Sequence, residues 1–364
     1  MKYYSLNNII SKKAKWNLII GERSNGKTYA VLNRIINNYA KTKKQGALIR
    51  RWDEDFKSKR ASTMFDALVA NNEISKATNG EWSNVSYYAG RWFLCRTEDD
   101  KIVKDDIPFC YAFSLTSMEH DKSTSYPNVT TILFDEFLTR GAYLPDEFIL
   151  LSNVISTIVR QRSDADIFMC GNTVNKYSPY FSEMGLTRIK ELKKGDIQVY
   201  EYGDSGLRVA VEFSDSPSKS KDSNIYFAFD NPRLSMITGE GTVWEIAVYP
   251  HCPCKYEKRD VIFSYFIIFN GDILQADIVN KDNISFTFIH KKTTKIQDEK
   301  NDIIFTPDYN PSPNYFRNIL KTTVPFVGKL SWFFNSDKVF YQDNETGEIV
   351  RNYLQFCKNE KGVI

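Results

Sequence analysis

Long apolar runs are missing from this 364-residue sequence. The longest, such as Val261 to Phe269, stop far short of the ~20 residues that a membrane helix needs, so no membrane is expected among the partners. Residues 1–10 lack the basic-then-apolar layout of a signal peptide, and the protein is expected to stay in a cytosol. Cysteine is sparse, six residues scattered at Cys95, Cys110, Cys170, Cys252, Cys254 and Cys357. They form no disulfide framework, and reduced thiols fit that compartment. With only 12 Pro and 17 Gly, beside 26% charged and 42% hydrophobic residues, disorder and collagen are excluded. At about 150 residues per domain the length suggests two domains.

The net charge of +3 conceals an uneven layout. Residues 1–60 hold 15 Lys and Arg against 4 Asp and Glu, residues 61–206 hold 14 against 21, and the remainder is near neutral. A basic stretch of this kind marks either a polyanion-binding face or a solvated surface.

The same basic stretch carries the clearest motif. The apolar run Trp16-Asn17-Leu18-Ile19-Ile20 reads as a buried strand and leads directly into Gly21-Glu22-Arg23-Ser24-Asn25-Gly26-Lys27-Thr28, a GxxxxGK[ST] string. Val31, Leu32, Ile35, Ile36 and Tyr39 then fall on one helical stripe. Strand, loop and helix stand in the order a phosphate-binding loop requires. The glycines let backbone N–H groups curl round phosphates, with Gly21, Arg23, Ser24, Asn25 and Gly26 forming the cradle. Lys27 reaches the outer phosphates, Thr28 offers a hydroxyl to Mg²⁺, and the helix N-terminus adds its dipole.

A hydrolytic P-loop needs a second, carboxylate-bearing strand, and Thr130-Thr131-Ile132-Leu133-Phe134-Asp135-Glu136 supplies one. Asp135 is expected to hold the Mg²⁺ shell and Glu136 to polarise the attacking water. Strand candidates at Gly46 to Arg50 and Phe109 to Phe113 lie between the two motifs in sequence. The two motif strands are therefore expected not to be neighbours, as in additional-strand, catalytic-glutamate ATPases. GTPases fit poorly, because Asp135 is followed by Glu-Phe-Leu rather than DxxG, and Asn175-Lys176-Tyr177-Ser178 lacks the Asp of NKxD.

Phe148 to Val159 reads as an amphipathic helix ending in Arg160-Gln161-Arg162, and Asp166 to Cys170 as a strand delivering Gly171-Asn172. Asn172 is either a nucleotide-reporting amide or a turn residue. Arg160 or Arg162 is either an arginine finger or an ordinary surface residue.

With GERSNGKT at 21–28, ALIRR at 47–51, KSTSYPNVTTILFDEF at 122–137, TIVRQR at 157–162 and CGNTVNKYSPYF at 170–181, the chain resembles the small DNA-packaging ATPases of phi-twenty-nine-like tailed phages, relatives of the large terminases. The resemblance covers residues 1–205 most specifically. It implies a homomeric ring, commonly pentameric, docked on the procapsid portal through a packaging RNA and driving double-stranded DNA inward with ATP and Mg²⁺. Such a protein would work in the host cytoplasm, transiently at the portal vertex, and be absent from the mature virion. By the same resemblance Lys27 and Thr28 are phosphate and metal ligands, Asp135 the Walker B acid and Glu136 the catalytic base. Arg160 matches a trans-acting finger, Lys122 a second trans-acting cation, Arg50 or Arg51 a switching arginine, and Asn172 a coupling residue.

DNA in a ring pore would be held by its phosphates, since a motor must move any sequence. Lys57, Lys59 and Arg60 are the candidate grip, with a solvated helix start as the plain alternative. Ser214 to Ser223 is the most linker-like stretch. The expected division is an α/β ATPase domain at 1–206, a connector at 207–243 with a possible helix start at Asn231-Pro232-Arg233, and a β-rich domain at 244–364. Val261 to Phe269, Ile273 to Val279 and Ile284 to His290, joined by Asn-rich turns, suggest the opening meander of a degenerate RNase H-like domain. A small β-barrel is the alternative. The first of these strands has no acid, Asp272 sits in a turn and Asp277 stands alone, so two-metal nuclease chemistry is expected to be lost. His251-Cys252-Pro253-Cys254 has the wrong spacing for zinc, and His120 and His290 bring no partners. The competing functions are another ring ATPase, such as a helicase or a conjugation-type motor, and a non-catalytic nucleotide-dependent scaffold.

Overall fold

The computed structural model describes residues 4–57, 59–117, 124–139, 141, 143–172, 178–215, 249–321 and 324–359. The chain forms two compact units that divide between residues 245 and 246. The first is built on a ten-stranded sheet. Its strands are β1 (Trp16–Gly21), β2 (Gln45–Arg50), β3 (Asn84–Tyr88), β4 (Arg91–Glu98), β5 (Lys101–Lys104), β6 (Cys110–Ser114), β7 (Val129–Asp135), β8 (Asp166–Asn172), β9 (Ile197–Tyr202) and β10 (Leu207–Phe213). Six of them run parallel in the order β6-β2-β7-β8-β1-β10. Antiparallel β4 and β3 extend one edge, with β5 paired to β4, and β9 closes the other edge.

Successive residues of the central strands enter different cores, as the two-residue period of a strand requires. Leu18, Ile20, Ile132, Phe134 and Met169 pack with Leu151, Val154, Ile155 and Ile158 of helix α2 (Glu147–Val159). Ile19, Leu48, Leu133 and Phe168 pack with Val31, Leu32, Ile35, Ile36 and Tyr39 of helix α1 (Lys27–Thr42). Cover on both faces explains why the strands are continuously apolar rather than alternating. The expected α/β architecture, the stripe on α1 and the helix after β7 all stand.

The motif strands β1 and β7 are separated, as expected, though by a different strand. The insert between them is β8, whereas β2 and β6 lie beyond β7. The proposed boundary at residue 206 is displaced. Leu207–Phe213 pairs with β1 in parallel and with β9 through a hairpin at residues 203–206, so it completes the first sheet instead of opening a connector. Residues 203–206 form the hairpin turn between β9 and β10. Ser214 and Asp215 follow β10, while the rest of the expected linker and Asn231-Pro232-Arg233 lie outside the described residues.

The second unit carries β11 (Val261–Phe269), β12 (Asp272–Lys281), β13 (Ile284–Lys291), β14 (Ile304–Phe305), β15 (Tyr315–Phe316) and β16 (Val339–Tyr341). β11, β12 and β13 form the expected antiparallel meander, and β14, β15 and β16 add in parallel, giving the order β15-β14-β11-β12-β13-β16. Among the described residues the sheet is open, with β15 and β16 at its ends, rather than closed as in the β-barrel alternative. Helices α3 (Pro325–Asn335) and α4 (Asn344–Asn359) complete the described part. No described helix is long and apolar enough to cross a membrane.

Candidate active site

Parallel strands point all their carboxyl ends to one side, and the crevice there is the usual ligand position of an open α/β sheet. Here β1, β2, β7 and β8 deliver Gly21, Arg50, Asp135 and Asn172 to that side. A cavity of about 750 Å³ opens among them, lined by residues 23–28 of the loop, Arg51, Asp135, Glu136 and Asn172.

The loop turns into α1 through Gly26, whose φ of 95° suits glycine and no other residue without strain. Lys27 is buried, and its Nζ donates to the carbonyl oxygens of Gly21 (3.2 Å) and Glu22 (2.6 Å), to Asn25 Oδ1 (3.0 Å) and to Asn172 Oδ1 (3.4 Å). Burial pushes its ammonium down to about 8, against the opposing pull of Cys170, Asp135 and Glu22. Asn25 Nδ2 reaches Ser214 Oγ at 3.4 Å, so the loop also touches the residue after β10. Thr28 Oγ1 donates to Asp135 Oδ1 at 2.7 Å. This hydroxyl and carboxylate are the hard oxygen donors that Mg²⁺ takes.

Two adjacent acids end β7 in different environments. The Asp135 side chain is 6% exposed and that of Glu136 62%. Arg50 spans them, with Nη2 at 2.6 Å from Asp135 Oδ2 and Nη1 at 2.8 Å from Glu136 Oε2. Glu136 holds a φ of 59°, a conformation that costs a non-glycine residue about 1–3 kcal/mol and persists only where neighbours enforce it. Close approach adds to this, since a Cβ on Gly171 would lie 2.7 Å from the ring of Phe137.

The two candidate switching arginines behave differently. The Arg51 and Glu147 side chains are 7% and 0% exposed and 2.8 Å apart. Breaking a buried pair by removing one partner costs about 3–5 kcal/mol, whereas a pair with one exposed partner, such as Arg50 with Glu136, is worth roughly 0–1 kcal/mol. Arg50 thus has one exposed partner, Glu136, beside the buried Asp135, whereas both ends of the Arg51–Glu147 pair are buried. Tyr180 donates its hydroxyl to Glu147 Oε1, and burial, then the Glu147 charge, hold that hydroxyl well above its ordinary pKa, so it remains a donor. Glu147, Tyr180, Ser214 and Gly171 were not apparent from sequence, because an acid in the first turn of a helix or a glycine in a strand is common and unremarkable alone.

Arg160 follows α2 and is exposed, its Nη2 donating to Thr124 O at 3.0 Å. Arg162 donates to the carbonyl oxygens of Tyr126, Val129 and Ile158, so its guanidinium clamps the entry to β7. Both lie at the amino end of β7, opposite the end that bears Asp135. Lys122 lies outside the described residues. Lys57, Lys59 and Arg60 are exposed after β2, but Lys57 pairs with Asp53 (3.1 Å) and Glu54 (3.4 Å), and Arg60 with Asp55 (3.8 Å). The local acids offset much of their charge.

Residues 1–236 match the family described as Podovirus DNA encapsidation protein (Gp16). The chain belongs to this family. It is 29% identical to the DNA packaging protein of Bacillus phage B103 over 209 residues, 56% of the chain and 58% of that relative. Against the DNA packaging protein of Bacillus phage phi29 it is 25% identical over 302 residues, 80% of the chain and 81% of the relative. The solved structure described as the bacteriophage Phi-29 viral genome packaging motor assembly shares the fold, with a TM-score of 0.54, 22% identity and coverage of 98% of this chain and 99% of that one. The resemblance expected from the motifs therefore holds, and the family match extends beyond residue 205, past the last strand of the first sheet.

In the second unit, no group of His, Cys, Asp or Glu able to hold a metal occurs among the described residues. Asp277 lies on β12 opposite Ser264 of β11. Its Oδ1 accepts from Ser264 Oγ (2.7 Å) and Gln275 Nε2 (2.9 Å), and Oδ2 faces His290 Nε2 at 3.2 Å. Asp277 and His290 are thus hydrogen-bond partners of each other. The cross-strand register brings them together, two residues off direct opposition. Cys252 Sγ meets Cys254 O at 3.0 Å, and His251 bridges to Tyr341.

Proposed function

We propose that the chain is the ATPase of a viral genome-packaging motor, which hydrolyses ATP with Mg²⁺ to drive double-stranded DNA into a procapsid. The observation that carries this is the convergence of Lys27, Thr28, Asp135 and Glu136 at one sheet end in a DNA encapsidation family member. Lys27 would exchange its loop carbonyls for phosphate oxygens. Thr28 and Asp135 would hold Mg²⁺, which supplies charge neutralisation on the phosphates when bound. Glu136 would accept a proton from water attacking the γ-phosphorus, once Arg50 releases its carboxylate. Asn172, already on Lys27 Nζ, would register whether that ammonium faces a phosphate.

The finer assignments belong to the same proposal. Subunits form a homomeric ring, a pentamer by resemblance, at the portal, with packaging RNA as a further partner, so the protein works in the host cytoplasm and at the portal vertex. Arg160 and Lys122 act on a neighbour's nucleotide. Lys57, Lys59 and Arg60 grip DNA by exchanging Asp53, Glu54 and Asp55 for backbone phosphates. The proposed domains are an ATPase domain through β10 and a carboxyl-terminal domain without nuclease activity. The test is ATP hydrolysis by purified protein with double-stranded DNA and procapsids carrying the RNA. Stimulation by both is expected. Strand separation of the duplex, or hydrolysis indifferent to DNA and procapsid, would favour a helicase-type motor or a free ATPase instead.

A further inference from the structure

The residue that holds Glu136 is as well defined as Glu136 itself. Every nitrogen of the Arg51 guanidinium is engaged. Nε donates to Glu147 Oε2 (2.8 Å), Nη2 to Glu147 Oε1 (2.8 Å) and to Phe137 O (2.9 Å), and Nη1 to Glu136 O (3.2 Å). One planar group thus joins the end of β2, two consecutive peptide carbonyls after β7, and the first residue of α2. Glu147 is held in turn, with Oε2 also accepting from Leu144 N at 2.7 Å and Oε1 from Tyr180 OH. The Arg51 guanidinium lies 5.3 Å from the centre of the Tyr143 ring, which packs on Tyr180. A fork of fixed geometry with four of its five N–H donors used transmits position, not only charge.

We propose that Arg51 and Glu147 form a positioning clamp that fixes the backbone of Glu136 and so aims its carboxylate during turnover. The proposal rests on the ATPase reading and adds to it the positioning role of Glu147. Neither clamp residue touches the reacting atoms through this role. Arg51 grips the carbonyl oxygens of the 136–137 and 137–138 peptides, and Glu147 keeps Arg51 in plane. Because the grip falls on backbone, any substitution that frees it would let the Glu136 φ relax from 59° and swing the carboxylate away. Arg50, which pairs directly with that carboxylate, is the moving partner, and the clamp is the fixed frame against which it moves.

A buried ion pair can also be merely structural, and the experiment must separate the two roles. Replacing such a pair by apolar residues of similar volume is often neutral or stabilising, so Arg51→Met combined with Glu147→Leu is expected to keep the fold while losing the grip on residues 136 and 137. Arg51→Lys keeps a cation beside Glu147 without the fork. The full chain would be assayed for ADP affinity, melting temperature, and kcat and KM for ATP with DNA and procapsids. Wild-type hydrolysis in that assay is the check on the ATPase reading itself, independent of the variants. For both variants kcat should fall roughly 10- to 100-fold, the usual penalty of a displaced catalytic group, with ADP affinity within about twofold of wild type. Wild-type kcat in the folded double variant would overturn the proposal, as would parallel loss of kcat and ADP affinity in Arg51→Lys. If the double variant does not fold, Arg51→Lys decides alone, read well below its own melting temperature.

Discussion

Arg160 offers the sharpest test of a ring. It follows α2, whose 13 residues at 1.5 Å each carry the chain about 20 Å from Glu147, the partner of the cavity-lining Arg51. The opposite route agrees. Arg162 is tied to Val129 at the start of β7, and six residue steps along a strand span about 20 Å to Asp135. No side chain crosses that distance, so Arg160 does not reach the nucleotide cavity of its own chain, and in the proposed ring it would serve a neighbour's. A finger of this kind is worth roughly 10³- to 10⁵-fold in rate. Removing it should leave the fold intact, because an exposed substitution costs within about 0.5 kcal/mol, and Ala pays the same backbone cost as Arg at a φ of 51°. The assay mixes Arg160→Ala and Lys27→Ala subunits in equal amounts. Each alone should be inactive. In mixed head-to-tail rings about one interface in four joins an intact P-loop to an intact finger, and ATP hydrolysis should recover towards that fraction of wild type. No recovery over either variant alone would refute a trans role, and undiminished hydrolysis by Arg160→Ala would remove it from the site. Lys122→Ala should lower activity in the same direction, more mildly.

Lys27→Ala should lose ATP binding, while Glu136→Gln keeps binding and loses turnover, as measured by equilibrium binding and single-turnover hydrolysis. ATP affinity should weaken as pH rises through about 8, where free Lys27 loses its proton, by up to about one log unit per pH unit, because the phosphates restore that proton on binding. Titration calorimetry in buffers of different ionisation heat should register this proton uptake, and Lys27→Arg should remove the dependence. In the second unit, Asp277 raises the His290 pKa above its ordinary value, while the hydrogen bonds from His290, Gln275 and Ser264 outweigh burial and hold Asp277 below its own. The pair therefore stabilises the fold between these two values. Its contribution should fade as pH rises through the His290 value, and His290→Gln should flatten that part of the melting profile. Incubation with Mg²⁺ or Mn²⁺ should yield no nicking of plasmid DNA. Nicking abolished by Asp277→Ala would show that Asp277, despite its three partners, binds metal.

What could be read from sequence was local. The order of strand, glycine loop and helix around Lys27, the acid pair closing an apolar strand at Asp135 and Glu136, and the stripe on α1 are all written within a few dozen consecutive residues, where backbone periodicity and phosphate chemistry leave few alternatives. The meander at 261–290 was legible for the same reason, each turn lying between the strands it joins. Tertiary structure decided whatever depends on residues far apart in the chain. That β8 rather than β2 or β6 separates the motif strands is a matter of sheet order, which sequence proximity does not encode. Leu207–Phe213 belongs to the first sheet because β1 has an open edge to receive it. Arg50 and Arg51 are neighbours of identical chemistry, and only opposite side-chain directions at the end of β2 give one to the paired acids and the other to Glu147. His290 found Asp277 through strand register alone.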